Sequence, residues 1–308
     1  MGEMMECILT IDIGGTFTKI ACISRAGKLE GKKEIETPGS CKSFLQWVQN
    51  QFKTYSKKYS IIGIGVSSPG SVSSTGDVLG YSSVPFVHEQ NVKQLLEEYF
   101  KLPVFMENDA NCAALAEMWN GAAATIDTYA CVICGTGIGG AIVINKKLYK
   151  GANLHGGEFG YILLDREFSA SSTWSELGSS SAITRRLKKA DPYFEKWSGP
   201  LVFEQAKAGH PEARKSLDTF FQTLAVGVFN IQYMLDPEKI LIGGGITRQP
   251  GFLNELSKKL NEVLASKPFA EIRPSLSLCH YLDQAQLYGA AVGWKECYEK
   301  GDTVCLRD

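Results

Sequence analysis

The stretch LHGGEFGY, Leu154 to Tyr161, combines residue types that suit a binding or catalytic site. His155 lies three residues before Glu158, with two glycines between them, and Tyr161 follows three residues after Glu158. A histidine and a carboxylate at this spacing could bind a metal ion, act as a general-base pair or recognise a neutral polar substrate. The stretch by itself leaves these three interpretations open.

Three glycine-rich turns follow apolar runs: DIGGT at residues 12–16, GTGIGG at 135–140 and GGGIT at 243–247. Glycine lets backbone N–H groups approach an anion without a Cβ in the way, and successive N–H groups form phosphate-binding concavities. One such turn has little meaning, but three in order predict a nucleotide held between two domains. A Rossmann site is excluded because the strand-like run AIVI follows GTGIGG, and the chain has no P-loop motif.

Asp12 and the stretch ENDAN supply carboxylates beside apolar runs. Asp12 begins the first glycine turn, where it could bind Mg²⁺ or its water, or only stabilise the turn. Glu107, Asn108 and Asp109 precede an alanine-rich helical stretch, so one of them could cap that helix. A carboxylate there could also accept a hydroxyl proton during phosphoryl transfer, and Asn108 offers a donor and an acceptor to hydroxyls.

The composition is typical of a soluble globular protein that is long enough for two domains. The 308 residues are 44% hydrophobic and 21% charged, and 32 Lys plus Arg balance 33 Asp plus Glu. This balance argues against nucleic acid as a partner. No apolar run reaches a membrane span and the N-terminus lacks signal-peptide features, so we expect no membrane association and a cytoplasmic location.

The nine cysteines give no metal-binding pattern. Cys131 and Cys134 lie in the strand-like run YACVIC, where this spacing points the two side chains to opposite faces. No second CxxC motif completes a zinc knuckle. We therefore interpret the cysteines as small buried side chains of a protein in a reducing compartment.

Alternating apolar runs and helical patterns indicate an α/β protein of two domains. The stretches TIDIGGTFTKIACI and CVICGTGIGGAIVI both read as hairpins that turn on glycines, which suggests two similar half-structures facing each other. The chain has no Pro/Ser-rich linker, so we predict the boundary at a hinge near residues 119–128. The predicted first domain is residues 1–118 plus a C-terminal helix at 288–308, and the predicted second domain is residues 119–287.

Six motifs occur in an order that resembles the ROK family of sugar kinases, within the actin-like, hexokinase-like ATPase superfamily. They are DIGGTFTK, SSPG, ENDAN, GTGIGG, GANLHGGEFGY and LIGGGIT, and together they extend over nearly the whole chain. The resemblance implies two actin-like (ribonuclease H-like) domains, each a mixed sheet flanked by helices, with a cleft that closes on sugar and ATP. It also suggests a homodimer.

The resemblance implies roles for individual residues. Asp109 is expected to be the catalytic base, and Asp12 to hold Mg²⁺ through water. The expected sugar contacts are Gly70, Asn108, Asp109, Glu158 and Glu176. The expected ATP contacts are Gly14, Gly15, Thr16, Lys19, Thr136 and Gly137, with Gly243, Gly244 and Gly245 near the adenosine end. Buried carboxylates and amides suit a sugar site because they lose free energy when a hydroxyl partner is missing.

Two departures from the family pattern concern the sugar pocket. Many members continue GEIGH into CxCGxxGC and bind a structural zinc, but here Tyr161 replaces that histidine and no cysteine lies between Cys134 and Cys279. The resemblance therefore implies a zinc-free member, in which His155 is structural rather than catalytic. The second departure is SSVPF at residues 82–86, which replaces an NLPGW-like loop and its sugar-contacting asparagine. Both changes predict a reshaped pocket.

The resemblance predicts a kinase that uses ATP and Mg²⁺ to phosphorylate a hydroxyl, the 6-hydroxyl, of a hexose or hexose derivative. Glucose, N-acetylmannosamine, fructose, allose and β-glucosides are all open as substrates. The alternative is a catalytically inactive sugar sensor, and the presence of Asp12, Asp109 and the three glycine turns weighs against it. No helix-turn-helix pattern precedes Asp12, so we do not expect a DNA-binding repressor of the same family.

Overall fold

The computed structural model describes residues 4–165, 169, 172–190 and 197–299, and these residues divide into two compact units. The first unit comprises the described residues within 1–124, 150–156 and 284–308, and the second comprises those within 125–149 and 157–283. Residues 150–156, which the sequence analysis groups with the second domain, cluster with the first unit. The part of the predicted C-terminal helix beyond residue 299 lies outside the described residues.

The elements of the first unit alternate between strands and helices. Its strands are β1 (Glu6–Ile13), β2 (Phe17–Ser24), β3 (Leu29–Glu36), β4 (Ser60–Ser68), β5 (Ser71–Val72), β6 (Val78–Leu79) and β7 (Val104–Asn108). Its first helices are α1 (Cys41–Tyr55), α2 (Phe86–Glu89), α3 (Val92–Phe100) and α4 (Asp109–Asn120). The helix at Ala285–Tyr298, named α10 below, also belongs to this unit.

The elements of the second unit begin with a hairpin and continue with helices. Its strands are β8 (Tyr129–Cys134), β9 (Ile138–Ile144), β10 (Lys147–Leu148), β11 (Lys239–Gly243) and β12 (Leu276–Leu278). Its helices are α5 (Trp174–Gly178), α6 (Ser180–Ala190), α7 (Gly199–Lys207), α8 (Pro211–Leu235) and α9 (Phe252–Ala265). Short 3₁₀ helices cover Phe159–Tyr161, Gly245–Arg248 and Leu282–Gln284, and α10 follows the last of these.

The main sheets of the two units have the same strand order. Among the described residues, the first sheet runs β3-β2-β1-β4-β7 and the second runs β10-β9-β8-β11-β12. In each sheet the first strand lies at the centre, antiparallel to the second strand and parallel to the fourth. The repeat predicted from the two glycine hairpins is therefore confirmed in the order of the strands.

Apolar periodicity explains how the helices cover the sheets. Phe44 and Val48 of α1 are fully buried, and the Phe44 ring contacts that of Phe86 with centroids 5.4 Å apart. In the second unit, α8 contributes Phe220 and Leu224 to the core and packs along α9. Each unit therefore has a hydrophobic core of its own.

Burial explains the cysteines of the CVIC stretch. Cys131 and Cys134 are fully buried in β8, as expected for core side chains. Burial raises the pKa of the Cys134 thiol to about 12.

Within the described ranges, no helix combines the length and apolar character that crossing a bilayer requires.

Candidate functional site

The turn at residues 14–16 joins β1 to β2 and is fastened by Thr37. Within the turn, the Gly14 N–H donates to Phe17 O at 3.1 Å. Thr37 directly follows β3, donates its N–H to Thr16 O at 2.9 Å, and donates its hydroxyl to Gly14 O at 2.5 Å. The first glycine turn is thus held by its own closing bond and by Thr37.

Asp12 lies near the end of β1 and is buried, with 6% of its surface exposed. Its Oδ1 accepts a hydrogen bond from Ser67 Oγ at 3.1 Å, and its Oδ2 pairs with Lys19 Nζ at 3.2 Å. Both partners lie directly opposite Asp12 in the ladders to β2 and β4. Burial raises the pKa of the Asp12 carboxyl, while Lys19 and Ser67 oppose that shift.

This donor set fits a magnesium ion held through water. Mg²⁺ keeps several waters and is usually bound by one or two carboxylates together with substrate phosphates. Asp12 supplies one carboxylate at the base of the glycine turn. Within the described part of the chain, no group of three or more His, Cys, Asp or Glu side chains could hold a metal ion. The absence of a structural zinc stays a prediction.

Asn108 caps α4, as one interpretation of ENDAN predicts. Its Oδ1 accepts from the N–H groups of Ala110 at 2.9 Å and Asn111 at 3.2 Å. Its Nδ2 donates to Gly70 O at 3.0 Å, which brings two of the predicted sugar residues together. An amide has two N–H donors, so Asn108 retains a second donor for a ligand.

Asp109 is the first residue of α4, and its side chain is exposed. Its Oδ1 accepts from the N–H of Ala110 at 2.7 Å. The partial positive charge at a helix N-terminus stabilises a negative charge at this position. The Asp109 carboxyl group therefore lies next to the Asn108–Gly70 pair.

Glu107, the remaining member of ENDAN, is buried and takes part in a partly buried ion pair that the sequence analysis missed. It is 4% exposed, and its Oε2 lies 3.1 Å from Lys150 Nζ. Its Oε1 accepts from the N–H of Asn108 at 2.7 Å and from Asn111 Nδ2 at 3.0 Å. Lys150 also donates to Val72 O at 2.7 Å. The pair therefore fixes the backbone immediately before Asp109.

Gly70 lies at a tight corner between β4 and β5. Its φ is +88°, and a Cβ at this position would lie 2.7 Å from Val78 Cγ1 and 3.2 Å from His88 Cε1. His88 Nδ1 is 3.2 Å from Val78 O, and its Nε2 is 2.7 Å from Ser82 Oγ. Because a carbonyl only accepts, Nδ1 carries a proton and donates to Val78 O, while Nε2 shares a hydrogen bond with the Ser82 hydroxyl. His88 thus joins the SSVPF loop to the Gly70 corner.

The turn at residues 135–137, between β8 and β9, is held by serine hydroxyls from α5 and α6. Ser180 donates both its N–H, at 3.0 Å, and its hydroxyl to Gly135 O. Ser181 Oγ donates to Thr136 O, and Ser175 Oγ accepts from the N–H of Ile138 at 2.9 Å. The predicted ATP residues Thr136 and Gly137 lie within this turn.

Glu158 is half-buried and directly precedes the 3₁₀ helix Phe159–Tyr161. The glycines on either side pack closely on β9, because a Cβ on Gly157 would lie 2.9 Å from Ala141 Cα. His155 is exposed, and its Nδ1 makes a local contact with Asn153 O at 2.6 Å. Tyr161 is 75% exposed. The close packing of the GGEFG glycines positions Glu158.

Glu176 lies in the first turn of α5 and is 45% exposed. Its Oε2 pairs with Arg185 Nη2 at 2.8 Å, and Arg185 Nη2 also donates to Glu176 O at 2.7 Å. The neighbouring Ser175, rather than Glu176, contacts the second glycine turn. A sugar contact from Glu176 stays a prediction.

The GGGIT turn packs on the end of β8. Gly244 has φ +101°, and a Cβ there would lie 2.0 Å from Cys134 O, so only glycine fits. Nothing lies within 4 Å of a Cβ built on Gly245, and Thr247 Oγ1 donates to Gly244 O at 2.8 Å. Gly243 and Gly244 are therefore closely packed, while space is open beside Gly245.

Comparison with known proteins identifies the family of this chain. Residues 8–297 match the ROK family. The chain belongs to the ROK family. The matched residues include the two glycine turns at 14–16 and 135–137, which are held by hydroxyl groups and are called the hydroxyl-fastened turns below. They also include Asp12, the capped start of α4 and Glu158.

Several relatives of this ROK protein are similar over most of their length. A β-glucoside kinase of Klebsiella pneumoniae is 30% identical, over 96% of this chain and 98% of its own. A β-glucoside kinase of Listeria monocytogenes is 33% identical, over 81% and 86%. The crystal structure of a ROK family protein from Streptococcus pneumoniae in complex with sucrose is 34% identical, with a TM-score of 0.89 over 96% of this chain and 99% of its own.

The residues of this ROK protein that the sequence analysis missed mostly have hydroxyl side chains. They are Thr37, Ser175, Ser180 and Ser181, to which the ion-paired Lys150 and the loop-anchoring His88 are added. Thr37 and Lys150 lie far from their partners in the sequence, so no local pattern indicates them. Lys150 directly precedes the motif GANLHGGEFGY, which is the one signal that could have drawn attention to it.

Proposed function

We propose that this ROK protein is an ATP-dependent sugar kinase that phosphorylates the 6-hydroxyl of a hexose or hexose derivative. The observation that carries the proposal is the start of α4, where exposed Asp109 follows the capping residue Asn108, and Asn108 bonds to Gly70. This arrangement combines a base with amide and backbone groups that suit hydroxyl recognition. The family match and the β-glucoside kinase relatives support the same activity.

The proposed reaction moves one proton and one phosphoryl group. The sugar oxygen attacks the γ-phosphorus of ATP, the bond from that phosphorus to the β,γ-bridging oxygen breaks, and ADP leaves. The hydroxyl proton passes to the Asp109 carboxylate as the new P–O bond forms. The second N–H of Asn108 would orient a sugar hydroxyl, and Glu158 and Glu176 are the further proposed sugar contacts.

The phosphates of ATP are proposed to contact the two hydroxyl-fastened turns. The residues concerned are Gly14, Gly15, Thr16 and Lys19 in the first unit and Thr136 and Gly137 in the second, with Gly243, Gly244 and Gly245 toward adenosine. Mg²⁺, when bound, would neutralise charge on the phosphates. Asp12 would hold the ion's water, and Lys19 would be able to move from Asp12 toward a phosphate oxygen.

The names of the relatives indicate which sugars to test first. Relatives of this chain are named β-glucoside kinase, glucokinase and N-acetyl-D-glucosamine kinase. The β-glucoside kinases are 30% and 33% identical over 96% and 81% of this chain, whereas the glucokinase is 30% identical over 77% of it, so β-glucosides come first in a substrate panel. A homodimer and a cytoplasmic location complete the proposal.

A coupled ADP-release assay tests the activity. The panel contains cellobiose, glucose, N-acetylglucosamine, N-acetylmannosamine, fructose and allose, each with MgATP. We expect sugar-dependent ADP formation, and we expect Asp109→Asn to lower kcat by about 10²- to 10⁴-fold with little change in sugar affinity. Asp127→Asn, a change to an exposed carboxylate of the second unit, is the control. Sugar binding without turnover in the wild type would instead identify a sensor.

A further inference from the structure

Tyr81 is an exposed aromatic side chain beside the predicted sugar residues. It is 92% exposed, whereas Val84 and Phe86 of the same loop are buried. Burial of a tyrosine ring is favourable, so a ligand that covered this exposed ring would gain from the contact. The position of the loop indicates which ligand.

The loop that carries Tyr81 is held on both sides. Before it, Leu79 of β6 pairs with Ser71 of β5, which directly follows Gly70. After it, Ser82 Oγ bonds to His88 Nε2 at 2.7 Å and accepts from the N–H of Val84 at 3.3 Å. The backbone on each side of Tyr81 is therefore fixed while the ring itself is exposed.

These anchors place Tyr81 at the rim of the Gly70 corner. Leu79 O lies 3.1 Å from the position of a Cβ on Gly70, and two residues of extended chain span at most about 7 Å. Gly70 O in turn accepts from Asn108, the residue before Asp109. The tyrosine thus flanks the corner where the reacting sugar is proposed to bind.

The chemistry of a glucoside assigns a part of the substrate to this position. The hydroxymethyl group that reacts is on C5, and the ring oxygen separates C5 from C1. A group attached to C1 therefore extends away from the hydroxyl that approaches Asp109. A β-glycosidic bond is equatorial, so it points outward from C1 close to the mean plane of the pyranose. The next sugar or aglycone can then stack its apolar face against an aromatic ring at the rim.

We infer that Tyr81 is the stacking platform for the aglycone of a β-glucoside, and that it makes this protein prefer β-glucosides to free glucose. The inference rests on the proposed sugar kinase function. It deepens that proposal by naming the substrate class and the residue that selects it. Tyr81 has no part in the transfer of the phosphoryl group.

The test compares kcat/KM for cellobiose, glucose and maltose in the wild type, Tyr81→Ala and Tyr81→Phe. We expect Tyr81→Ala to lower the value for cellobiose about tenfold and to change the value for glucose less than about twofold. Tyr81→Phe should keep both values because stacking does not need the hydroxyl. The wild type should prefer β-linked cellobiose to α-linked maltose, and this preference should shrink in Tyr81→Ala.

A matched control separates selection from general damage. Tyr99→Ala removes another exposed tyrosine of the first unit, from α3, and should leave all three values unchanged. An equal loss for cellobiose and glucose in Tyr81→Ala, or no loss, would overturn the inference while sugar phosphorylation stands. Phosphorylation of glucose but of neither disaccharide would have the same result. If the wild type phosphorylates no sugar, both proposals fail.

Discussion

At the scale of single residues, Asp12 shows a conflict between stability and the proposed activity. The carboxylate is buried, and that burial raises its pKa above the ordinary value of 3.8 although Lys19 and Ser67 oppose the shift. A raised pKa in the folded state means that the folded protein holds this proton more tightly than the unfolded chain does. The ionised form therefore costs stability, as is common in functional sites.

Asp12→Asn should raise the melting temperature of the nucleotide-free protein at neutral pH and lower its turnover. The unfolded carboxyl ionises near pH 3.8, so the cost to the wild type grows as pH rises from there through the folded pKa. The stability gap between the two proteins should thus vanish below pH 3.8 and widen as the pH rises above it. Melting curves from pH 3.5 to 8 measure it.

The control for Asp12 is Asp283→Asn, because Asp283 is exposed and pairs with Arg248 at the surface. Exposed pairs contribute little, so this change should shift the melting temperature only slightly. A lower melting temperature for Asp12→Asn at neutral pH would contradict the expected sign.

Lys150→Met should destabilise the protein by about 3 kcal/mol, because it leaves the buried Glu107 carboxylate without its cation. The double variant Glu107→Gln/Lys150→Met should recover most of this loss, since no charge is then left buried. Urea unfolding measures both. Lys259→Met is the control, because the carboxylates of its partners Asp218 and Glu262 are 58% and 53% exposed and the change should cost less than about 1 kcal/mol.

One result for the double variant Glu107→Gln/Lys150→Met would contradict the ion-pair explanation. If it is as unstable as Lys150→Met alone, the loss comes from the packing of the lysine stem and its bond to Val72 O. In that case the ion pair does not position the backbone before Asp109.

At the scale of elements, both glycine hairpins are fastened by hydroxyl groups from outside the hairpin turn. Thr37 serves the β1–β2 turn, and Ser180 and Ser181 serve the β8–β9 turn. Fixed turns keep their N–H groups in one arrangement before the nucleotide binds, which reduces the entropy cost of binding. The hydroxyls are thus positioning groups for the proposed phosphate contacts.

Thr37→Val should raise the KM for ATP about tenfold with the KM for sugar unchanged, because valine has the shape of threonine but cannot donate to Gly14 O. Thr37→Ser keeps the hydroxyl and should stay close to the wild type. Steady-state kinetics with each substrate varied in turn provide the measurement. Equal KM values for ATP in the two variants would show that the hydroxyl does not position the turn.

The sequence predicts the hairpins and the cap because their signals are local. Apolar runs around DIGGT and GTGIGG indicate β1–β2 and β8–β9, and ENDAN before an alanine-rich stretch indicates the start of α4, where Asn108 caps the helix. The contacts of Thr37, Ser180 and Lys150 depend on how distant segments fold back. A threonine or lysine in a loop, or a serine at the start of a helix, has no periodicity that would reveal its partner.

At the scale of the whole molecule, two units with the same strand order supply the residues that the proposal uses. The first unit contains Asp12, Gly70, Asn108 and Asp109, and the second contains Thr136, Glu158 and Gly245. The match to the ROK family extends across both units. Neither unit alone contains all the groups that the proposed reaction requires.

Removal of metal ions should show that turnover needs Mg²⁺ and that the fold needs no structural zinc. A zinc-selective chelator should change neither the melting temperature nor turnover, because Tyr161 and the cysteine-free stretch after Glu158 supply no zinc site. EDTA in excess over Mg²⁺ should abolish turnover, and added Mg²⁺ should restore it. Thermal unfolding and the ADP-release assay follow both treatments. A drop in melting temperature with the zinc-selective chelator would reveal a structural metal.

The position of α10 in the chain bears on how the protein emerges from the ribosome. Trp294 Nε1 donates to Pro103 O and Tyr298 OH to Val104 O, both at 3.0 Å, so α10 completes the packing of the first unit. All of the second unit is synthesised before this helix. The surface of the first unit that α10 covers therefore stays exposed until the whole second unit and α10 have been translated. Nascent chains arrested before residue 285 should have a protease-sensitive first unit, and the released 308-residue chain should have a protected one.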